Sequence, residues 1–377
     1  MKKLLILGAG QMQVPIIALA KQLGHYTIVA DYDPQAPGFE YADVKSTIST
    51  IDKDAVLQLA HKERVDGILT TSDYPVRVVA YVSEKLRLPA MTQRVAEVCT
   101  NKYEQRKLFL ENGINTPFFI KCDVNTDLSD LNDFPYIVKP VDSSASRGVV
   151  EVHNAEQLKE AVTGACELSR SGNAIIESFI YGKEFSVETL TQNGETHIIQ
   201  ITEKLTRGED KGFFVEDTHI EPARICETDA EAIRKEVLRA AKAVGVDNCP
   251  THTEIKLWDG KPYIIEMACR LGGDYITSDL VPLSTGISMM ENLIRLSLGE
   301  TIDVEPKYRK WSCVQFLNEE NYFRCKEFTK KSKNLISRCE VGEYKTDVIK
   351  SSLDRLGYII FQSDTREDLE NILSRIK

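Results

Sequence analysis

The residues best suited to chemistry lie between Lys102 and Asp274, and the most informative are two glutamates. The segment Thr251–Glu266 holds two alternating stretches on either side of Asp259-Gly260, the pattern of a β-hairpin. With a loop of three or five residues, Glu254 stands opposite Glu266 while Ile255, Leu257, Tyr263 and Ile265 gather on the other face. A two-residue loop would split both sets, so the apolar pattern predicts the odd register. Two carboxylates about 5 Å apart at Cβ repel unless something neutralises them. Hard oxygen ligands so placed suit Mg²⁺, which takes one or two carboxylates and completes its shell with phosphate and water. A structural pair bridged by a lysine is the alternative. His252, two residues before Glu254, shares its strand face.

Two upstream runs point to a nucleotide. Tyr136-Ile137-Val138-Lys139-Pro140 ends an apolar strand with a lysine, and Val141-Asp142-Ser143-Ser144-Ala145-Ser146-Arg147-Gly148 follows. Small residues let backbone N–H and hydroxyl groups approach a triphosphate, and Lys139 supplies charge. The same run also reads as a surface turn with a solvated lysine. Next, the apolar strand Ile175-Ile176-Glu177-Ser178-Phe179-Ile180 continues to Gly182-Lys183-Glu184-Phe185-Ser186. A strand that leaves a core as a short hinge offers backbone groups to an adenine edge. Glu184, seven residues after Glu177, is placed for two ribose hydroxyls. An ordinary strand end is the plainer reading.

A different nucleotide signal stands near the N-terminus. Gly8-Ala9-Gly10 follows a short strand, and Asp31 ends the next, as in dinucleotide-binding folds. The third glycine of that fingerprint is replaced by Gln13, and a strand-to-helix turn needs glycines whatever it binds. No nicotinamide or flavin is expected. The helix start after Gly10 can still hold a substrate carboxylate.

The elements that must position these residues follow from pattern and length. At 377 residues, two or three domains are expected. Residues 1–97 alternate strands and helices, the mark of a Rossmann-like parallel sheet. Residues 98–300 mix helices and strands around the candidate site, with 118–177 expected as a mobile lid. Residues 301–377 form a lysine-rich, mainly β segment ending in an amphipathic helix near Thr365–Ile376, expected as a lid or a homodimer surface. The fold class is therefore α/β, with a central two-lobed α+β domain and a small C-terminal β-rich one. The net charge of −10 disfavours nucleic acid and anionic membranes as partners, and no apolar run reaches the roughly 20 residues of a membrane span. Lys2 and Lys3 before Leu4–Leu7 resemble a leader, but the run is short and enters a glycine turn, so it reads as a first strand. Nine scattered cysteines, never spaced Cys-x-x-Cys, fit reduced thiols in the cytoplasm.

Taken in order, these residues resemble the ATP-grasp superfamily over nearly the whole chain. The resemblance makes Lys102 and Lys139 phosphate contacts and Ser143–Gly148, with Ser144 and Ser146, the loop that closes over them. It makes Glu177, Ser178, Phe179 and Ile180 the adenine hinge, Glu184 the ribose acid, and Glu254 and Glu266 the metal acids. Many members carry asparagine two residues after the second acid; Ala268 stands there instead. The run Glu266-Met267-Ala268-Cys269-Arg270-Leu271-Gly272-Gly273-Asp274 looks like the amino-acid ligases of the superfamily, as does Ile201-Thr202-Glu203-Lys204. The N-terminal part also looks like the purine-biosynthesis members.

What the resemblance implies is a ligase that uses ATP and Mg²⁺, or Mn²⁺, to activate a small carboxylate as an acyl phosphate and pass it to an amine. Arg270 would stabilise the phosphoryl group and the tetrahedral intermediate. Lys204 and His252 are further catalytic candidates, Lys204 equally readable as a solvated charge and His252 as a plain hydrogen-bonded histidine. Gly272 and Gly273 would approach the substrate, with Asp274 for an ammonium. Cys249 and Cys269 are expected to be buried rather than nucleophilic. A purine-pathway enzyme acting on a ribonucleotide and a nucleotide-binding regulator without turnover are the other readings. The ribonucleotide reading predicts a second phosphate pocket with additional basic residues, and the sequence shows no clear one.

Overall fold

The computed structural model describes residues 1–144, 147–208, 215–346, 349 and 352–377. The first sheet contains β1 (Lys3–Leu7), β2 (Tyr26–Asp31), β3 (Val44–Thr47) and β4 (Gly67–Thr70), parallel and in the order β3-β2-β1-β4. Parallel neighbours need crossovers. Here α1 (Val14–Gln22) joins β1 to β2 and α2 (Lys53–Glu63) joins β3 to β4. Leu4–Leu7 and Ile28–Ala30 are wholly buried, as strands covered on both faces must be. In the turn after β1, Gly8 takes φ 100° and Ala9 donates its N–H to Asp31 Oδ2 at 2.7 Å. The carboxylate that a dinucleotide enzyme would turn to a ribose is thus occupied by the glycine turn itself. The segment then runs through α3 (Val76–Leu86) and α4 (Gln93–Cys99).

The second sheet belongs to a small lobe. After α5 (Lys102–Glu111) come β5 (Phe119–Cys122), β6 (Tyr136–Pro140), β7 (Val150–Val152), α6 (Ala155–Leu168) and β8 (Ala174–Ser178). The strands pair antiparallel in the order β5-β8-β6-β7. Leu158, Val162 and Ala165 on one face of α6 pack on Val138, Val152 and Ile176 of that sheet.

The third sheet carries the site. Its strands are β9 (Lys183–Gln192), β10 (Glu195–Arg207), β11 (Val215–Glu221), β12 (Cys249–Trp258), β13 (Lys261–Ala268), β14 (Trp311–Phe316), β15 (Ile336–Val341) and β16 (Gly357–Ser363), in the order β13-β12-β9-β10-β11-β14-β16-β15. The C-terminal strands therefore extend the central sheet. One face rests on α7 (Glu227–Val244), whose Ile233 and Val237 meet Phe185, Val187 and Ile255. The helices α8 (Val281–Thr285) and α9 (Met289–Leu298) follow, while α10 (Tyr322–Lys331) and α11 (Arg366–Ile376) cover the C-terminal strands through Tyr322, Phe328, Leu369 and Ile372. No helix among the described residues is long and apolar enough to cross a membrane.

The β12–β13 hairpin corrects the expected loop. Trp258 pairs with Lys261, so the turn is the two-residue Asp259-Gly260, with φ 49° and 68°. Glu254 nevertheless faces Glu266, because a bulge beside Glu254 gives β13 one extra residue, Ile265. The apolar face is redrawn as well. Ile255 and Leu257 lie opposite buried Ile264 and Pro262, while Tyr263 and Ile265 are only half-buried.

Candidate active site

Residues two apart on a strand share a face, and so do residues directly opposite. The pairing of β10, β9, β12 and β13 therefore builds a grid of polar side chains. One row is Lys204, Glu184 and Lys256; the next is Thr202, Ser186, Glu254 and Glu266; the third contains Gln200, Glu188 and His252. Cation and acid alternate only in the first row; in the second, Glu254 and Glu266 are neighbours and take their countercharges from Lys204 and from Lys102 of α5.

The two facing acids are each held at one oxygen. Glu254 Oε1 accepts from Lys204 Nζ at 3.0 Å and lies 3.7 Å from His252 Nε2. Glu266 Oε1 accepts from Lys102 Nζ at 3.2 Å. No described residue engages Oε2 of either. Lys204, with its side chain 4 % exposed, is also 3.0 Å from Glu184 and 3.7 Å from Glu216. Burial alone would lower its pKa, but Glu254, Glu184 and Glu216 outweigh it and raise the pKa well above the usual lysine range. Lys204 first pulls the Glu254 carboxyl far below its ordinary value, against burial. In this geometry Lys204 is the counter-ion of the acid cluster and is turned inward. Glu184 is likewise engaged, by Lys204 and by Lys256 at 3.3 Å.

His252 is fixed from behind. Its Nδ1 is 2.5 Å from Oε1 of fully buried Glu188. Burial would lower the imidazole pKa, yet the Glu188 charge and hydrogen bond raise it to about 9. Gly272 passes so close that a Cβ there would lie 2.7 Å from His252 Nδ1 and 2.9 Å from Glu188 Oε2, so only glycine fits. Gly273 has open space around it. Asp274 and Tyr275 both take positive φ, 48° and 66°, which is strained for a tyrosine. Tyr275 is held there by stacking on Tyr358 at 4.2 Å, and Asp274 by Arg355 at 2.9 Å. Arg355 belongs to the C-terminal segment and also reaches Glu216. Asp274 is therefore paired with protein, with its pKa lowered chiefly by His219 and Arg355 against burial.

The nucleotide candidates divide. Lys102 opens α5 and donates to Ser143 O at 2.6 Å as well as to Glu266. Lys139 donates to Glu177 Oε2 at 2.7 Å, and Arg106, one turn after Lys102, donates to Glu177 Oε1 at 2.7 Å and to Ile265 O. Burial would raise the Glu177 carboxyl, but these two cations hold it at about 2. Its side chain thus ties β8 of the small lobe to α5 and does not face solvent. Ser178 and Phe179 give their N–H groups to Phe118 O and Pro135 O, while Ile180 lies beyond the sheet ladder. The hinge ends at Gly182, where a Cβ would sit 2.1 Å from Leu257 O. Ser143 and Ser144 line a cleft of about 220 Å³, and Gly148 turns the loop back with φ 73°. Ser146 lies outside the described residues.

That cleft is lined from the N-terminal segment by Asp73, Tyr74 and Arg77 and from the small lobe by Arg170 and Ser171, with Lys102 and Glu266 also in its wall. Arg270, expected to meet a phosphoryl group, donates from Nε to Asp73 Oδ1 at 2.7 Å and from Nη1 to Leu271 O at 2.9 Å. Cys249 and Cys269 are buried, as expected. Sequence reasoning missed Arg106, Glu188, Asp73 and Arg355. The first two had a signal: Arg106 stands four residues after Lys102 on one helix face, and Glu188 continues the alternation Glu184, Ser186. The other two are brought in by tertiary folding alone.

Residues 132–279 match the model of the ATP-grasp domain. The chain is 28 % identical over 255 residues to formate-dependent phosphoribosylglycinamide formyltransferase of Bacteroides thetaiotaomicron, covering 65 % of each chain. It is 24 % identical to alanine–anticapsin ligase of Bacillus subtilis over 68 % of this chain and 59 % of that one. The chain thus spans just under two thirds of the length of these relatives. Among solved structures, L-amino acid ligase from Bacillus licheniformis superposes with TM-score 0.80 at 26 % identity, over 100 % of this chain and 97 % of that one. Phosphoribosylglycinamide synthetase from Anaerococcus prevotii shares the fold, with TM-score 0.76 at 22 % identity over 100 % and 97 %. Residues 132–279 thus match an ATP-grasp domain, within a chain that is similar in sequence and fold to the ligases above.

Proposed function

We propose that this chain is an ATP-dependent carboxylate–amine ligase acting through an acyl phosphate, with an amino acid or similar small acid as substrate. One observation carries the reading. Glu254 and Glu266 face each other, each neutralised at one oxygen by a lysine and open at the other. Scaffold ion pairs have no need of that half-open state. Among the described residues no three acids, histidines or cysteines form a complete ion site, so an ion here takes the remainder of its shell from phosphate and water. Mg²⁺ or Mn²⁺ held by Glu254 and Glu266 would supply charge neutralisation for the triphosphate.

The chain's own groups do the positioning. An ammonium has three donors. Lys139 uses one on Glu177 and Lys102 uses two, so both keep a donor for a phosphate oxygen. A substrate carboxylate attacks the γ-phosphorus and ADP leaves; the amine then attacks the activated carbonyl and phosphate leaves. This chemistry asks for alignment and charge stabilisation. Arg270 and the protonated His252 stand beside the acids for the second need, and the uncrowded Gly273 lets a substrate approach the backbone.

A ribonucleotide substrate is the second reading, favoured by the likeness to the formyltransferase and by the basic side chains of the cleft. Phosphate release from ATP and Mg²⁺, measured across single and paired amino acids and with glycinamide and aminoimidazole ribonucleotides, separates the readings. Release that needs an amino-acid pair and disappears in Glu266→Gln supports the ligase. Release with a ribonucleotide alone moves the chain to purine synthesis, and no release with any mixture leaves a binding protein.

A further inference from the structure

The cleft beside Glu266 carries charge that the ligation chemistry leaves unused. Asp73, Asp142, Glu266, Arg77, Lys102 and Arg170 all line it. Every acid among them is engaged. Asp73 pairs with Arg270, and Glu266 with Lys102. Asp142 closes the turn after α6, accepting from Ser169 Oγ at 2.9 Å and from the N–H groups of Arg170 and Ser171 at 3.0 Å. Arg77 and Arg170 are left with no carboxylate partner among the described residues.

Both guanidiniums are nevertheless anchored, and by neutral groups. Arg77 Nε donates to Thr100 Oγ1 at 2.5 Å, and that hydroxyl donates onward to Ala96 O at 2.6 Å. Arg170 lies over the ring of Tyr74, 4.6 Å from its centroid. Arg77, Tyr74 and Thr100 come from the N-terminal side of the cleft, and Arg170 and Ser171 from the lid lobe. Three acids balance the three cations of the lining, so what the two guanidiniums offer is directed N–H forks, fixed by a hydroxyl and a ring and free of a carboxylate partner among the described residues, rather than net charge. Planar guanidinium forks match carboxylate and phosphate oxygens.

We propose that Arg77 and Arg170 form a second anion subsite, which takes a carboxylate or phosphate monoester carried by the substrate at the end remote from the reacting centre. This rests on the ligase reading of the neighbouring acids. The reacting end lies at Glu266 and Lys102; the anionic tail spans the cleft mouth and links the lid lobe to the N-terminal sheet. A substrate with a neutral tail leaves both arginines unengaged, so the subsite selects for dianionic substrates.

The test is calorimetric titration of the protein loaded with Mg²⁺ and a non-hydrolysable ATP analogue, so that the triphosphate site is filled. Glycerol 3-phosphate, glutarate and neutral glycerol are the probes. The loaded wild type is expected to bind one of the two anions and not glycerol, and the anion that binds identifies the tail as phosphate or carboxylate. Arg77→Gln and Arg170→Gln should each weaken that binding at least tenfold. Thr100→Val, which keeps the charge and removes the tether of Arg77, should weaken it about threefold. Failure of both anions to bind, or equal affinity in the double variant, overturns the subsite while analogue binding leaves the ligase reading standing. Failure of the analogue itself to bind overturns both.

Discussion

Glu177 and the pair Glu254–Glu266 are treated oppositely by the same fold. Both oxygens of Glu177 are engaged, by Arg106 and Lys139, and its side chain is 2 % exposed. Glu254 and Glu266 keep about a third of their side chains exposed, at 32 % and 29 %, and each is engaged at one oxygen only. A fully satisfied buried carboxylate is locked, since removing any partner strands the others. A half-satisfied carboxylate at a cleft can take a new ligand without losing its first. The first arrangement fixes strand β8 of the small lobe to α5; the second leaves ligand capacity beside the cleft that Glu266 lines.

The comparison breaks first at Glu177. Glu177→Ala leaves Arg106 and Lys139 buried without their acid, and should cost about 3–5 kcal/mol of unfolding free energy. Denaturant unfolding measures this, and a cost under about 1 kcal/mol would refute the scaffold role. Glu266→Gln should do the reverse. On the ligase reading it removes a group that acts in the transition state, so phosphate release should fall by about 10²–10³-fold; because Glu266 is partly exposed and glutamine keeps an acceptor for Lys102, the loss of stability should be smaller than at Glu177. If both substitutions affected stability alone, the contrast between the two regions would fail.

A third carboxylate sharpens the contrast through pH. Glu221 is fully buried, with Oε1 2.8 Å from Thr202 Oγ1 and Oε2 3.0 Å from Ser284 Oγ, and no cation pairs with it among the described residues. Burial drives its pKa up to about 8, opposed by those hydroxyls and assisted by the Glu188 charge. The proton is accommodated because Ser284 Oγ also lies 3.2 Å from Val281 O, to which it can donate while accepting from the acid. The folded pKa exceeds the unfolded value of about 4.3. The folded state therefore binds more protons in between, and the contribution to stability is full below about 4.3 and lost as pH rises through about 8. Relative to Glu221→Gln, the wild type should lose on the order of 2 kcal/mol between pH 5 and pH 7. Parallel pH profiles of the two proteins would refute the raised pKa.

How much of this was legible depends on how local the cause was. The facing of Glu254 and Glu266 follows from alternation, and it survived an incorrect loop length because the bulge at Ile265 restored the register. A bulge has no residue signature of its own here, so the turn and the apolar face were misassigned together. The parallel N-terminal sheet was readable from the alternation of strands and helices in residues 1–97. The engagement of Glu177 was not, since Arg106 and Lys139 approach it from 71 and 38 residues away. For the same reason Lys204 read as a free cation, when three carboxylates from three strands surround it. Arg355 and Asp73 were invisible because only the packing of the C-terminal strands and the N-terminal sheet delivers them.

Asp73 gives the smallest and most discriminating effect. It holds Arg270 from the loop between β4 and α3 through contacts of 2.7 Å and 3.4 Å, so the guanidinium beside Glu254 and Glu266 is oriented by a segment outside the small lobe and the central sheet. The Asp73 charge contributes to the raised pKa of Arg270, against burial. If Asp73 positions Arg270, Asp73→Asn keeps one acceptor oxygen but removes the charge that fixes the fork. Turnover should then fall about tenfold, equivalent to about 1.4 kcal/mol in the barrier, with the KM for ATP unchanged. If Asp73 instead restrains Arg270 away from the phosphoryl group, the same substitution raises turnover. A fall in kcat at constant KM identifies a positioning residue, a rise identifies a restraint, and an unaltered kcat dissociates the N-terminal sheet from the chemistry.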